Sequence, residues 1–109
     1  MKSKVNHKKY NFLGKVWKYK GPTGWHFVTL PKALSIKIRK IHGCDEEGWG
    51  RLKTTALVGQ TKWQTTIWYD TKSLSYILPI KAAVRKIEEI RLDSAIKVIL
   101  HLQVSDSGF

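Results

Sequence analysis

One string occurs twice in this chain, and it restricts the fold more than any other feature. Phe27-Val28-Thr29-Leu30-Pro31-Lys32-Ala33-Leu34 answers to Ser75-Tyr76-Ile77-Leu78-Pro79-Ile80-Lys81-Ala82. Each copy reads as a short strand, then Leu-Pro, then a one-stripe helix with Lys and Arg on its outer side. A loop and a further β run follow in both. Proline cannot donate into a strand ladder, and its fixed φ suits the first helical turn, so Leu-Pro predicts the change of state. Neither unit can bury a core alone. The two are therefore expected to interlock about a pseudo-twofold axis.

The remaining segments supply more strands. Tyr10 to Tyr19 reads as the first, with Phe12 and Val16 on one face and Leu13, Trp17 and Tyr19 on the other. Trp25 to Leu30 is the second, and Leu34, Ile38 and Ile41 stripe the helix after Pro31 until Gly43 ends it. Arg51 to Val58 and Lys62 to Tyr69 flank Gly59-Gln60, the pair expected of a type II′ hairpin. Ser75 to Leu78 leads to the second helix at Pro79, whose apolar face is Ile80, Ala83, Val84, Ile87 and Ile90. Ile96, Val98, Leu100, Leu102 and Val104 then alternate with Lys97, Ile99, His101 and Gln103 as a last strand.

Six strands and two short helices predict a mainly β, double-split six-stranded barrel built from two strand–Pro–helix–strand halves. Closure would remove the edges on which strands aggregate. The barrel is expected at 10–104, between a basic tail at 1–9 and a frayed tail at 105–109. With both halves on one chain it should complete a barrel alone and be able to exist as a monomer. A single cysteine excludes a disulfide framework and fits a reducing cytoplasm. No apolar run is long enough to span a membrane as a helix.

The charge is lopsided. Residues 1–44 carry eleven Lys/Arg and no acid, so +11 of the net +12 lies there; the other 65 residues are nearly neutral. Such a surface concentrates polyanions, which makes nucleic acid or an acidic protein a candidate partner and nucleic-acid binding the alternative to a general interaction module. Lys8, Lys9, Lys15, Lys18 and Lys20, extended by Lys32, Lys37, Arg39 and Lys40, form the expected footprint. Lys62, Lys72 and Lys97 are the contrast set outside it.

Catalytic chemistry finds little support. His42-Gly43-Cys44-Asp45-Glu46-Glu47 offers a thiol, an imidazole and carboxylates, but crowded on one Gly-rich loop. A nucleophilic Cys needs a base held by a third group, and one Cys with one His falls short of a closed metal site. Glu88 and Glu89 are helix neighbours about 100° apart and do not face each other as an acid and a base would. Gly48-Trp49-Gly50 lacks the following Lys and helix start of a phosphate loop. The expectation is a non-enzymatic binding module with no metal and no cofactor.

Five tryptophans are many for 109 residues. On one strand Trp63 and Trp68 point to opposite faces, so one of the two is a candidate platform for a base, a sugar or a partner side chain. The alternative is that the Pro79 helix covers it.

Gly48-Trp49-Gly50-Arg51-Leu52-Lys53, Val58-Gly59-Gln60-Thr61-Lys62-Trp63, Thr66-Ile67-Trp68-Tyr69-Asp70-Thr71-Lys72 and Leu78-Pro79-Ile80-Lys81-Ala82-Ala83-Val84-Arg85-Lys86 resemble one mainly bacterial family over about residues 10 to 104. It is the domain-of-unknown-function family numbered nineteen-oh-five. The resemblance implies the double-split barrel of AbrB-like regulators and antitoxins, and it implies no mechanism. Relatives carry Gly-Asp after the second helix where this chain has Leu92-Asp93; Asp93 keeps the turn-forming carboxylate, and Leu92 must make the bend in another way.

Overall fold

The computed structural model describes residues 6–48 and 50–104. Trp49, most of the basic tail (1–5) and the C-terminal residues 105–109 lie outside the described residues. The elements are β1 (Asn6–Lys18), β2 (His26–Thr29), α1 (Lys32–His42), a 3-10 turn (Gly43–Asp45), β3 (Arg51–Val58), β4 (Thr61–Asp70), β5 (Ser75–Pro79), α2 (Ala82–Ile87) and β6 (Ala95–Val104). Among them no helix is long and apolar enough to cross a membrane.

All six strands close into one antiparallel barrel in the ring order β1-β2-β5-β4-β3-β6. Period-2 patterning sets which side chains face in. Val16, Val28 and Leu78 are neighbours across three strands, as are Trp63, Ala56 and Leu100 across another three, and all six are buried. Trp17, Phe27, Ile77 and Trp68 occupy the opposite parity and point outward. Gly14 faces in, where a Cβ would meet Val28 Cγ1 at 2.6 Å. The missing side chain lets the strands draw close.

The ring reads the same when β1 exchanges with β4, β2 with β5 and β3 with β6. The register agrees around the Leu-Pro strings. Val28 pairs with Leu78, and the matching positions meet through Leu30 N–H, which donates to Tyr76 O at 2.9 Å.

Several expectations shift. β1 starts at Asn6, so the last four residues assigned to the tail pair with β6 instead. Pro31 caps α1 as expected. Pro79 does not open α2: it closes β5 opposite Phe27, and the helix waits until Ala82. The residue after each proline explains this. Lys32 is exposed, whereas Ile80 is buried and its N–H still donates to His26 O at 2.9 Å, so the strand steps over the proline into the core. Ile87, expected on the apolar face, is 66% exposed.

Two bends follow from single residues. Gly59 takes φ +60° while Gln60 keeps a negative φ, the pattern of a II′ turn. After α2, Glu89 (φ +53°) turns the chain off the helix, and at the bend into β6 Asp93 is left-handed (φ +65°), its N–H donating to Val16 O at 2.8 Å. Leu92 therefore needs no unusual geometry, because Asp tolerates this region better than most residues.

Candidate functional site

The outward face of β1, β2, β5 and β4 carries an aromatic groove. Phe27, only 3% exposed, is its floor. Its ring lies 5.1 Å from Trp17, 5.8 Å from Trp25 and 5.7 Å from Trp68, centroid to centroid, and Trp25 lies 5.4 Å from Trp68. Ring pairs at these separations hold one another in place. Trp17 is fixed further by its indole N–H, which donates to Thr29 Oγ1 at 2.9 Å. Trp25 is 43% exposed and Tyr19, at the rim, 54%. Trp17 and Trp68 are half-buried. The groove encloses about 830 Å³, and no residue of either helix lines it.

Lysines rim the rings. Lys18 and Lys20 come from the end of β1 and the turn after it, and Lys72 comes from the β4–β5 turn. One carboxylate, Asp70, also lines the groove, but it is engaged by its own turn, accepting from Lys72 N–H and the Ser73 hydroxyl. A rigid aromatic floor with mobile cations at its edge can stack a planar group and screen the negative charge attached to it.

The two candidate tryptophans part company. Trp63 faces the core opposite Ala56 and is 8% exposed, whereas Trp68 faces outward into the groove. Helix α2 stands beside Trp63 through Ala82 and Arg85, and it leaves Trp68 uncovered. The sequence reading missed Trp17, Trp25 and Phe27 as members of the same surface. Their outward parity was legible; their closeness to Trp68 depends on β2 pairing with β5.

The cationic footprint does not gather into one patch. Lys8 and Lys9 sit about ten residues from Lys18 along an extended strand, roughly 30 Å at 3.3 Å per residue. Lys8 lies close enough to His42, at the end of α1, to act on its charge. Lys15 is exposed on β1, and Lys32, Lys37 and Lys40 are exposed on α1. Arg39 is already engaged: its guanidinium lies 3.8 Å above the Tyr69 ring, and Nε lies 3.8 Å from Glu46 Oε2. Lys72, placed in the contrast set, joins Lys18 and Lys20 at the groove.

The loop cluster around Cys44 is dispersed by the fold. His42 is fully buried, and its Nε2 bonds Tyr10 Oη at 2.9 Å. Burial pushes the imidazole below the ordinary histidine range; Asp45 opposes the shift and Lys8 adds to it. Glu46 accepts a short bond from the Tyr76 hydroxyl, while Glu47 lies 3.8 Å from Lys53. Burial, then the bond and charge of Glu46, push Tyr76 far above the usual phenol range. Cys44 itself is exposed. Among the described residues no three His, Cys, Asp or Glu side chains converge as metal ligands. Glu88 and Glu89 also separate: Glu88 turns to the β3–β4 hairpin, accepting from Thr61 Oγ1 at 2.5 Å, and Glu89 is exposed.

Fold and groove together define a small closed antiparallel barrel with an uncovered aromatic surface rimmed by lysine. The chain belongs to the family described as Domain of unknown function (DUF1905), whose model matches residues 12–100. No curated protein matches it significantly.

Proposed function

We propose that this chain is a non-enzymatic binding module that holds single-stranded nucleic acid on the Trp25–Trp68 groove. The observation that carries the reading is the cluster of three partly exposed tryptophans over a buried Phe27, with three lysines at its rim. Ring faces of this kind are open to bases that have left a helix and closed to bases stacked inside one, which favours single strands over duplex. Lysines are point charges on flexible stems, so they track the backbone and read little sequence. An acidic protein would satisfy the lysines, but a run of bases offers the indole faces a planar partner at every residue.

The two barrel halves are taken as a double-split repeat of the AbrB-like kind, with both copies on one chain. A single chain then completes the barrel, and the protein works as a monomer in a bacterial cytoplasm. The exchange symmetry of the strand ring supports the double-split repeat.

The test is binding of a fluorescent thymidine 12-mer at low salt to the wild type and to Trp68→Ala. Trp68 is half-buried on the outer face, so its removal should leave the barrel folded and weaken binding at least fivefold, in line with ~1–3 kcal/mol per stacked base. Unchanged affinity in a folded Trp68→Ala protein would remove the groove as the binding surface.

A further inference from the structure

Trp25 has a second side. Beyond it lies a pocket of about 340 Å³ that shares Thr23 and Trp25 with the groove. His26, Lys81 and Arg85 line it together with Gln64, Thr65 and the edge of Trp63. Among the described residues no Asp or Glu lines it. Two permanent cations and an imidazole thus face one small space without a neutralising acid.

Arg85 is held in place before any ligand arrives. Its Nε–H donates to Ile80 O at 3.1 Å, and Nη1 lies 3.4 Å from His26 Nε2. His26 Nδ1 lies 2.7 Å from Gly24 O. A carbonyl can only accept, so Nδ1 carries the proton and Nε2 offers its lone pair to the guanidinium. These bonds use part of the five-donor fork and fix its plane, leaving the remaining N–H groups for an oxygen anion. The anchoring depends on β5 running past Pro79. Ile80 in the core places its carbonyl under Arg85 and ties the segment before α2 to β2.

We infer that this pocket binds the terminal phosphate monoester of a strand whose adjacent base lies on the Trp25–Trp68 groove. The charge balance selects a monoester. It carries a charge approaching −2 at neutral pH, which two permanent cations match, whereas an internal diester carries only one. Thr65 and Gln64 add neutral donors. The inference rests on the groove reading for the rest of the ligand, while the phosphate chemistry belongs to the pocket alone.

The experiment compares thymidine 12-mers with a 5′-phosphate, a 3′-phosphate or two hydroxyl ends, each labelled away from the tested end, against wild type and Arg85→Lys. Thymidine and thymidine monophosphate are titrated in parallel by tryptophan fluorescence. One terminal phosphate should strengthen wild-type binding at least fivefold. Arg85→Lys, which keeps the charge and loses the fork, should cut that gain below twofold and leave the hydroxyl strand within twofold of wild type. If hydroxyl and phosphorylated strands bind the wild type equally well, the anchor is wrong and the groove reading survives. If no strand binds but the monophosphate binds more tightly than the nucleoside in an Arg85-dependent way, the pocket stands and the strand reading falls. Because the wild-type comparison needs no variant, a misfolded Arg85→Lys protein would not rescue a failed inference.

Discussion

The same punctuation yields different structures in the two halves of the barrel. After Leu30-Pro31 an 11-residue helix begins at once, and it is fastened by buried polar groups. Ser35 Oγ accepts from Tyr76 N–H at 3.0 Å, and His42 bonds Tyr10. After Leu78-Pro79 the strand continues through Ile80, and a 6-residue helix follows later. Its Arg85 lines the pocket, and Glu88, just past its end, turns to the hairpin. One half spends its helix on closing the core. The other leaves a short helix beside an open site. The difference traces to one position, Lys32 against Ile80, since burying an isoleucine is worth about 1.5–3 kcal/mol and holds the chain extended.

The largest effect should come from the helix cores. Ile38→Ala in α1 removes a fully buried side chain and should cost about 2–5 kcal/mol in urea unfolding. Ile87→Ala in α2 should cost well under 1 kcal/mol, because that side chain is already mostly in water. Equal losses would erase the distinction between the helices.

Next come the polar ties. Tyr76→Phe removes the buried hydroxyl bonded to Glu46 and should destabilise by about 1–3 kcal/mol. Glu88→Gln, at a more exposed contact to Thr61, should cost less than about 1 kcal/mol. The reverse order would mean that the hairpin tie, and not the α1 side, fastens the barrel.

The first half should also be the acid-sensitive one. His42 binds its proton less readily folded than unfolded. Between its lowered folded value and the ordinary value of about 6.5, the unfolded chain therefore takes up more protons. Stability is full above about pH 6.5 and declines as pH falls through the lowered value. Thermal melts from pH 7.5 to 5 should show this decline, and His42→Gln should make it shallower. A wild-type melting temperature that rises toward pH 5 would contradict the burial account.

How much of this was legible depends on the range of the contacts involved. Alternation alone separated Ile96, Val98, Leu100 and Leu102 from their outward neighbours, because side-chain period is a local property. The break at Pro31 was local too. Pro79 misled because the stop signal of a proline competes with core burial of the next residue, and only the fold shows which prevails. The loop His42–Glu47 offered reactive side chains but no convergent arrangement, and where His42 and Glu46 go depends on Tyr10 and Tyr76, about thirty positions away in sequence. The groove was half legible. Trp68 and the lysines of β1 could be named, but bringing Lys72 beside Lys18 requires the closed ring.

The comparison of halves meets the proposed function in the salt dependence of strand binding. Lys18, Lys20 and Lys72 rim the groove, whereas Lys8, Lys9 and Lys40 belong to the far end of β1 and to α1. Affinity for an unphosphorylated thymidine 12-mer should be measured across a salt series for the wild type and for each triple Lys→Gln variant. Each phosphate contact contributes about 0.7 to the slope of log affinity against log salt for a single strand. The groove triple should therefore flatten the slope by about 2, and the distal triple should leave it nearly unchanged. Equal flattening by both triples, or a wild type that binds no strand at low salt, would contradict the groove as the place where this protein meets its ligand.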